Sequence, residues 1–211
     1  MASSFSSQIS TIVYLISKLK PVSLLDIGKG FGKYGFLLHE YYGVDNSVRP
    51  NPAVSLRDQS RIVIDAVECN PDYLWPHLSQ FYRHIFEGRI EEIYQDLPHY
   101  DLILMADVIE HLRKEEARAI VRHFVDRGST LVVSTPKKYF EQKCFESEDE
   151  RHLSHWTSTD FRALGCCDYQ NTGAGRVFMV SPQPIDVRGF GSSPIKRIRR
   201  MVRALQDELT D

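Results

Sequence analysis

Residues 22–34 read VSLLDIGKGFGKY, and this stretch decides the fold. An apolar run typical of a buried strand leads into three glycines at alternate positions, and a segment with helical signals, Tyr34 to Tyr42, follows. Glycines at a strand-to-helix turn let the backbone bend sharply and approach a ligand with no side chain between them. The stretch therefore predicts a ligand site at the carboxyl end of a parallel strand.

Short apolar runs and helical segments alternate from this stretch to residue 135. The apolar runs are Val22 to Ile27, Ile62 to Val67, His84 to Phe86, Asp101 to Met105 and Thr130 to Ser134, and the further helical segments are Pro71 to Gln80 and Lys114 to Val125. Two later runs, Cys166 to Gln170 and Val177 to Val180, predict an antiparallel closing pair. The pattern predicts an α/β fold, a Rossmann-like, doubly wound, seven-stranded, mostly parallel sheet with helices on both faces.

The chain divides into one domain, residues 1–185, and a C-terminal segment, residues 186–211. Within the domain we predict an N-terminal helix over residues 1–20 and a loop insertion over residues 43–60. The C-terminal segment is predicted to be a linker followed by a basic amphipathic helix. We expect that helix to pack on the domain or on a second copy in a homodimer. Its basic residues are Lys196, Arg197, Arg199, Arg200 and Arg203.

The composition of the chain excludes some classes of fold and some classes of binding partner. The chain has 211 residues, of which 42% are hydrophobic and 26% charged, a balance typical of globular proteins and not of disordered ones. The net charge of -2 gives no overall attraction to nucleic acid or to an anionic membrane. Four cysteines without a CxxC pair are typical of a reduced, cytoplasmic protein. We expect a small-molecule partner, with neither membrane nor nucleic acid bound.

Polar residues follow two of the predicted strands where each strand ends. Glu68 ends the second strand, where a carboxylate can accept both ribose hydroxyls of a nucleoside. An alternative role for Glu68 is a charge before the helix that Asn70 caps. After the fourth strand comes ADVIEHL, residues 106–112, at the edge of the sheet where α/β proteins bind ligands.

These segments resemble the class I S-adenosylmethionine (SAM) dependent methyltransferases, and more narrowly an uncharacterised bacterial or archaeal family of them. The stretches LLDIGKGFGKYGFLLHEYY, YDLILMADVIEHLRKEEA and DERHLSHWTSTDFRALG carry the likeness, which extends from about residue 21 to residue 180. The GxGxG spacing differs from the GxGxxG of dinucleotide-binding folds. The resemblance implies SAM as cofactor, with contacts from Asp26, Gly28, Lys29, Gly30, Gly32, Glu68, Cys69, Gly88, Arg89, Ile90, Asp107 and Val108.

The resemblance implies transfer of a methyl group, and for the acceptor we favour a hydroxyl of a small molecule or sugar. A histidine can remove the proton of such a hydroxyl, so we assign catalytic roles to His111, His152 and His155, with Glu110 beside them. Two alternatives stay open. One is a methyltransferase of RNA or another polymer that uses the basic C-terminal helix, and the other is a SAM-binding module without activity.

A divalent metal is a further alternative, which we do not expect. Asp107, Glu110 and His111 have a D-x-x-E-H spacing that resembles the metal-binding members among ubiquinone-pathway O-methyltransferases and small-RNA 2'-O-methyltransferases. A downstream histidine, His152 or His155, could complete a set of oxygen and nitrogen ligands.

Overall fold

The computed structural model describes residues 4–44, 51–139 and 151–191. Its centre is a seven-stranded sheet in the order β3-β2-β1-β4-β5-β7-β6. The strands are β1 Ser23–Ile27, β2 Val63–Glu68, β3 Ile85–Glu87, β4 Leu102–Ala106, β5 Thr130–Pro136, β6 Cys166–Thr172 and β7 Gly175–Ser181. The helices are α1 Ser6–Leu19, α2 Lys33–Leu38, α3 Ile90–Ile93, α4 Lys114–Asp126 and α5 Ser158–Arg162.

Strand pairing confirms the predicted sheet. β1 pairs in parallel with β2 on one side and β4 on the other, and β2–β3 and β4–β5 are also parallel. β6 and β7 form an antiparallel hairpin, and β7 pairs antiparallel with β5. The chain order therefore reverses between β1 and β4, which is the point where open α/β sheets bind ligands.

The core has two parts, one on each face of the sheet. Successive strand residues point to opposite faces, so Leu24 and Leu102 join one cluster while Leu25 and Ile103 join the other. The first cluster packs under α1 and α2, and the second packs under α4 and α5. Helices thus cover both faces, as the apolar strands require.

Two predicted helices take other forms. The segment Pro71 to Gln80 contains two 3₁₀ turns, Pro71–Tyr73 and Pro76–Gln80, because Pro76 lacks an N–H and its ring disfavours a continuous helix. The segment Tyr34 to Tyr42 is α-helical only as far as Leu38 and continues as a π turn, His39–Gly43.

Two further predicted segments lie outside the strand–helix alternation. Residues 51–60 of the predicted 43–60 insertion form turns and a 3₁₀ turn, Arg57–Gln59, while residues 45–50 lie outside the described residues. A linker was expected from residue 186, but Val187 and Phe190 are buried against the core. The basic segment predicted as a C-terminal helix also lies outside the described residues. Among the described helices, none is long and apolar enough to cross a membrane.

Candidate active site

Three glycines turn the chain from β1 into α2. Gly28, Gly30 and Gly32 all have positive φ values, of 69°, 52° and 82°, which side chains other than glycine rarely adopt. At Gly28 a Cβ atom would also stand 2.5 Å from Cγ2 of Val108. The turn is therefore closed to larger residues both by its conformation and by its neighbour across the sheet.

Glu68, at the end of β2, holds this turn. The side chain is buried, with Oε2 accepting a hydrogen bond from the N–H of Gly30 at 3.0 Å and Oε1 accepting one from Asn70 at 3.0 Å. Asn70 in turn caps the following 3₁₀ turn by accepting from the N–H of Asp72. Glu68 therefore lies before the residue that caps the 3₁₀ turn, and its side chain faces the glycine turn.

Lys29 joins the glycine turn to the segment after β2. Its ammonium group donates to the carbonyl of Gly30 at 3.1 Å and to that of Tyr73 at 2.8 Å. Burial lowers the pKa of Lys29, and the nearby Glu68 opposes that shift. The side chain is only 5% exposed, so it links the glycine turn to the segment after β2 from inside the wall of the site.

A cavity of about 760 Å³ opens at this edge of the sheet. It extends from Glu68 and the glycine turn, past the end of β4, to the loop that precedes α5. A volume of this size is typical of small-molecule and cofactor sites. Its wall contains these residues assigned from the sequence: Gly28, Lys29, Gly30, Glu68, Cys69, Gly88, Arg89, Ile90, Asp107, Val108, Glu110, His111 and His152.

Three of the assigned residues do not line the cavity. Asp26 is buried beneath the glycine turn, where its Oδ2 accepts a hydrogen bond from the hydroxyl of Tyr82 at 2.7 Å. Gly32 faces Leu78 and Tyr82 instead of the cavity. His155 is absent from the cavity wall, and its Nε2 lies 3.1 Å from the carbonyl oxygen of Lys137. These positions suit support of the site rather than contact with a ligand.

Burial governs the electrostatics of Asp26. It raises the pKa of this carboxyl from 3.8 to about 7, although the hydrogen bond from Tyr82 acts in the opposite direction. Lys29 and Lys33 nearby also favour the charged form. Asp26 is therefore a buried carboxyl whose surroundings favour the protonated form, and it does not line the cavity.

The other end of the cavity is built by the 3₁₀ turn Ile109–His111 and the loop that begins at Arg151. The carbonyl of Glu110 accepts from the N–H groups of Leu153 at 2.7 Å and Ser154 at 3.0 Å, which pins the loop to the turn. Nδ1 of His111 lies 3.1 Å from the carbonyl oxygen of Arg151. These contacts bring residues 40 positions apart in sequence to one end of the site.

Glu110, His111 and His152 form a compact cluster there. The rings of the two histidines lie 5.0 Å apart, and one ligand atom from each of the three side chains lies within 4.8 Å of the others. Burial raises the pKa of Glu110 from 4.5 to about 8, and the neighbouring Asp107 adds to the shift. Among the described residues, Oε2 of Glu110 has no hydrogen-bond partner within 3.5 Å, although the nearby hydroxyl of Thr135 lowers the pKa of this carboxyl. This donor set fits a divalent cation.

Of the residues considered for a metal from the sequence, this cluster contains Glu110, His111 and one of the two downstream histidines. His152 belongs to it and Asp107 does not, because both oxygens of Asp107 accept hydrogen bonds from the N-terminal segment. Asp107 also has a φ of 55°, which turns its side chain away from the line of β4. The spacing of these residues along the chain could not predict this backbone conformation of Asp107.

Several residues of the cavity wall were not assigned from the sequence. Ser4 and Phe5 reach it from the start of α1, Lys33 from the first turn of α2, and Tyr73 from the first 3₁₀ turn. Lys33 directly follows the glycine motif, so the sequence could have predicted its place in the cavity wall. The contribution of residues 4 and 5 depends on tertiary packing, and no local pattern indicates it.

Solved structures with the same architecture are SAM-dependent methyltransferases. An O-methyltransferase family protein from Burkholderia thailandensis is 10% identical over 86% of this chain, with a TM-score of 0.58, and the chain spans 57% of its length. PigF, solved with S-adenosylhomocysteine (SAH), is 18% identical, the match covering 84% of this chain and 55% of PigF, with a TM-score of 0.57. The small RNA methyltransferase HEN1 is 16% identical over 92% of this chain and 28% of its own, with a TM-score of 0.56.

Sequence comparison adds no closer relative. No protein-family model matches the chain, and no curated protein sequence is significantly similar to it. The structural likeness shows that the chain has the Rossmann-like fold of the class I SAM-dependent methyltransferases.

Proposed function

We propose that the chain binds SAM and transfers its methyl group to a hydroxyl of a small-molecule acceptor. One observation carries this proposal: a single cavity joins the glycine turn and Glu68 at one end to Glu110, His111 and His152 at the other. A nucleoside cofactor and an acceptor can thus lie in one cavity. Methyl transfer needs this arrangement, because the nucleophile must approach the sulfonium methyl in line.

The end of the cavity near β2 suits the ribose of SAM. A carboxylate offers about four lone-pair positions, and Glu68 uses two of them on the N–H groups of Gly30 and Asn70. Those two hydrogen bonds fix its orientation, so the remaining positions are preorganised for a pair of hydroxyls. SAH, which PigF was solved with, carries the same ribose.

The side chains at the other end of the cavity determine which chemistry is available there. In the transfer, the acceptor oxygen forms a bond to the methyl carbon as the carbon–sulfur bond breaks, leaving SAH, and the hydroxyl proton passes to a base. An imidazole is suited to that role at neutral pH, and both His111 and His152 line this part of the cavity. Glu110 favours its protonated form near pH 7 and suits hydrogen bonding to the acceptor.

A divalent cation fits the same three residues. Glu110, His111 and His152 would hold it through one oxygen and two nitrogen atoms, and the unpartnered Oε2 of Glu110 supports this choice. Such a cation supplies electrostatic stabilisation to a developing alkoxide. The second candidate acceptor is RNA, a proposal that rests on the structural likeness to the small RNA methyltransferase HEN1.

Binding is tested first. Calorimetry with SAM, SAH and NAD should show binding of the two sulfur compounds and none of NAD. A chain that binds NAD but neither SAM nor SAH would refute the proposal. Binding of SAM without transfer to any acceptor would indicate a SAM-binding module that lacks activity.

Transfer is tested with labelled SAM, a panel of small hydroxyl acceptors, and a small RNA, each with and without EDTA. His111→Ala and His152→Ala should slow turnover by about 10²-fold or more, through loss of base catalysis or of metal binding. His155→Ala is the matched control, since it lies in the same loop but off the cavity wall. Loss of activity on adding EDTA would identify metal dependence. Full activity in both His111→Ala and His152→Ala would place the acceptor elsewhere.

A further inference from the structure

The loop that presents His152 to the cavity is docked on the turn that follows β4. We call residues 151–156 the histidine loop. Its N–H groups at positions 153 and 154 donate to the carbonyl of Glu110 at 2.7 and 3.0 Å, and the hydroxyl of Ser154 donates to the carbonyl of Ile109 at 3.2 Å. All three bonds end on backbone carbonyls of the 3₁₀ turn, so the docking does not use the side chains that line the cavity.

The hydroxyl of Ser154 is the buried centre of this contact. Besides donating to the turn, it accepts a hydrogen bond from Nε1 of Trp156 at 2.9 Å. Ser154 is 7% exposed and Trp156 is fully buried, with its ring 4.9 Å from that of Phe161 in α5. Ser154 is absent from the cavity wall. Its hydroxyl therefore links the turn to the core without touching a ligand in the cavity.

Lys114 holds the far end of the histidine loop. Its ammonium group donates to the carbonyl of His155 at 2.5 Å and lies 4.0 Å from the centre of the Trp156 ring, a distance typical of a cation–π contact. Lys114 begins α4, three residues after His111, and it is also absent from the cavity wall. The segment after β4 and the histidine loop are thus joined on both sides of the two histidines.

The docked loop places a carbonyl group against the ring of His111. Nδ1 of His111 lies 3.1 Å from the carbonyl oxygen of Arg151. A carbonyl oxygen only accepts hydrogen bonds, so Nδ1 must carry the proton of this contact, and the lone pair of the neutral imidazole is then on Nε2. Nε2 is the atom that can take a proton from an acceptor or bind a cation, and both uses need this same tautomer.

We propose that Ser154 and Lys114 are positioning residues for methyl transfer, which act by docking the histidine loop on the turn before α4. The docked loop keeps the Arg151 carbonyl against His111, and His111 thereby presents Nε2 to the cavity. This inference rests on the proposed function. It makes the reactivity of the histidines depend on two residues that touch neither the cofactor nor the acceptor.

The first test determines the tautomer of His111 in the wild-type chain. Two-bond proton–nitrogen correlation spectra of the chain labelled with ¹⁵N-histidine distinguish a proton on Nδ1 from one on Nε2. The chain has eight histidines, so the signals of His111 are assigned by their loss in His111→Gln. At about pH 8.5, where an ordinary imidazole is neutral, we expect a single form of His111 with its proton on Nδ1.

Variants then test whether docking sets that tautomer. Ser154→Ala and Lys114→Met should each give a mixture of the two tautomers of His111. Ser129→Ala is the matched control, because Ser129 is also buried and donates to a backbone carbonyl, that of Tyr100 at 2.7 Å, but precedes β5 at the edge of the sheet opposite the cavity. It should keep the wild-type tautomer. Urea unfolding verifies that each variant is folded under the conditions of the spectra.

Binding and turnover separate positioning from a general loss of structure. Both variants should bind SAH within about twofold of the wild type, and with an acceptor identified by labelled SAM they should turn over about tenfold more slowly or worse. A wild-type His111 with its proton on Nε2, or on both nitrogens, would overturn the inference. The wild-type tautomer in both Ser154→Ala and Lys114→Met would overturn it as well. Failure of the wild-type chain to bind SAH would instead refute the proposed function.

Discussion

Glu68 holds the glycine turn with both carboxylate oxygens, so its removal should affect the cofactor in two ways. We predict that Glu68→Ala weakens SAM binding by roughly 1.5 to 3 kcal/mol, through loss of the ribose contact and loosening of Gly30. Glu87→Ala is the control, since Glu87 pairs in register with Glu68 on β3 but is exposed and off the cavity wall. Calorimetry measures both. Equal affinities in the two variants would show that Glu68 makes no cofactor contact.

Asp26 should make stability depend on pH. Its pKa is about 7 in the folded chain, raised by burial from 3.8, so the folded state binds a proton that the unfolded state has lost. The stability due to this proton is fully present below about pH 4 and is lost as the pH rises through about 7. Between about pH 5 and 8 the wild-type chain should lose on the order of 3 kcal/mol of unfolding free energy more than Asp26→Asn.

Urea unfolding at the two pH values tests this difference. Tyr82→Phe is an informative companion, because its hydroxyl donates to Asp26 and lowers the pKa of that carboxyl. Removing the hydroxyl should move the loss of stability to higher pH. Parallel pH profiles for the wild type and Asp26→Asn would mean that Asp26 does not titrate in this range.

At the scale of elements, α5 fixes the loop that presents His152. Thr157 and Asp160 form a capping box at its start, and Lys114 of α4 donates to Asp160 at 3.0 Å. Although burial alone would raise it, these bonds lower the pKa of Asp160 to about 2. The stability from this group is therefore present above about pH 4 and is lost as the pH falls toward 2.

We predict that Asp160→Asn lowers the unfolding free energy by about 1 kcal/mol at neutral pH, the usual contribution of a helix cap. Glu115→Gln is the matched control, since Glu115 pairs with Arg118 on the surface and its side chain is 82% exposed. An exposed pair of this kind contributes little. Urea unfolding of both variants measures the difference, and equal stabilities would show that the box does not anchor α5.

For the whole molecule, local signals in the sequence predicted the sheet, but they could not separate every residue of the cavity wall from its neighbours. Apolar runs and glycine turns are local signals, so the seven strands were found within a few residues of their observed bounds. Which side chains face the cavity depends on loop geometry. His152 and His155 are three residues apart in one irregular loop, and only the first reaches the wall. Because both residues are histidines, the residue type could not show which of them faces the cavity.

Asp26 and Asp107 illustrate the same limit in different ways. Both are acidic residues at strand ends, and the resemblance assigned both to the cofactor. Asp26 lies within β1 and is buried, whereas Asp107 has a left-handed backbone and accepts a hydrogen bond from the N–H of Phe5. A difference in backbone conformation of this kind depends on neighbours that are distant in sequence.

The position of β7 has a consequence for how the chain is made. Among the described residues, β7 is the last strand in chain order, yet it lies inside the sheet between β5 and β6 and packs against α1. On the ribosome, a nascent chain that has emerged only as far as β6 carries an open β5 edge and an N-terminal helix that lacks its contacts with β7. Unpaired edges of this kind invite association with other chains. Synthesis that stalls before residue 175 should therefore yield a product that depends on chaperones.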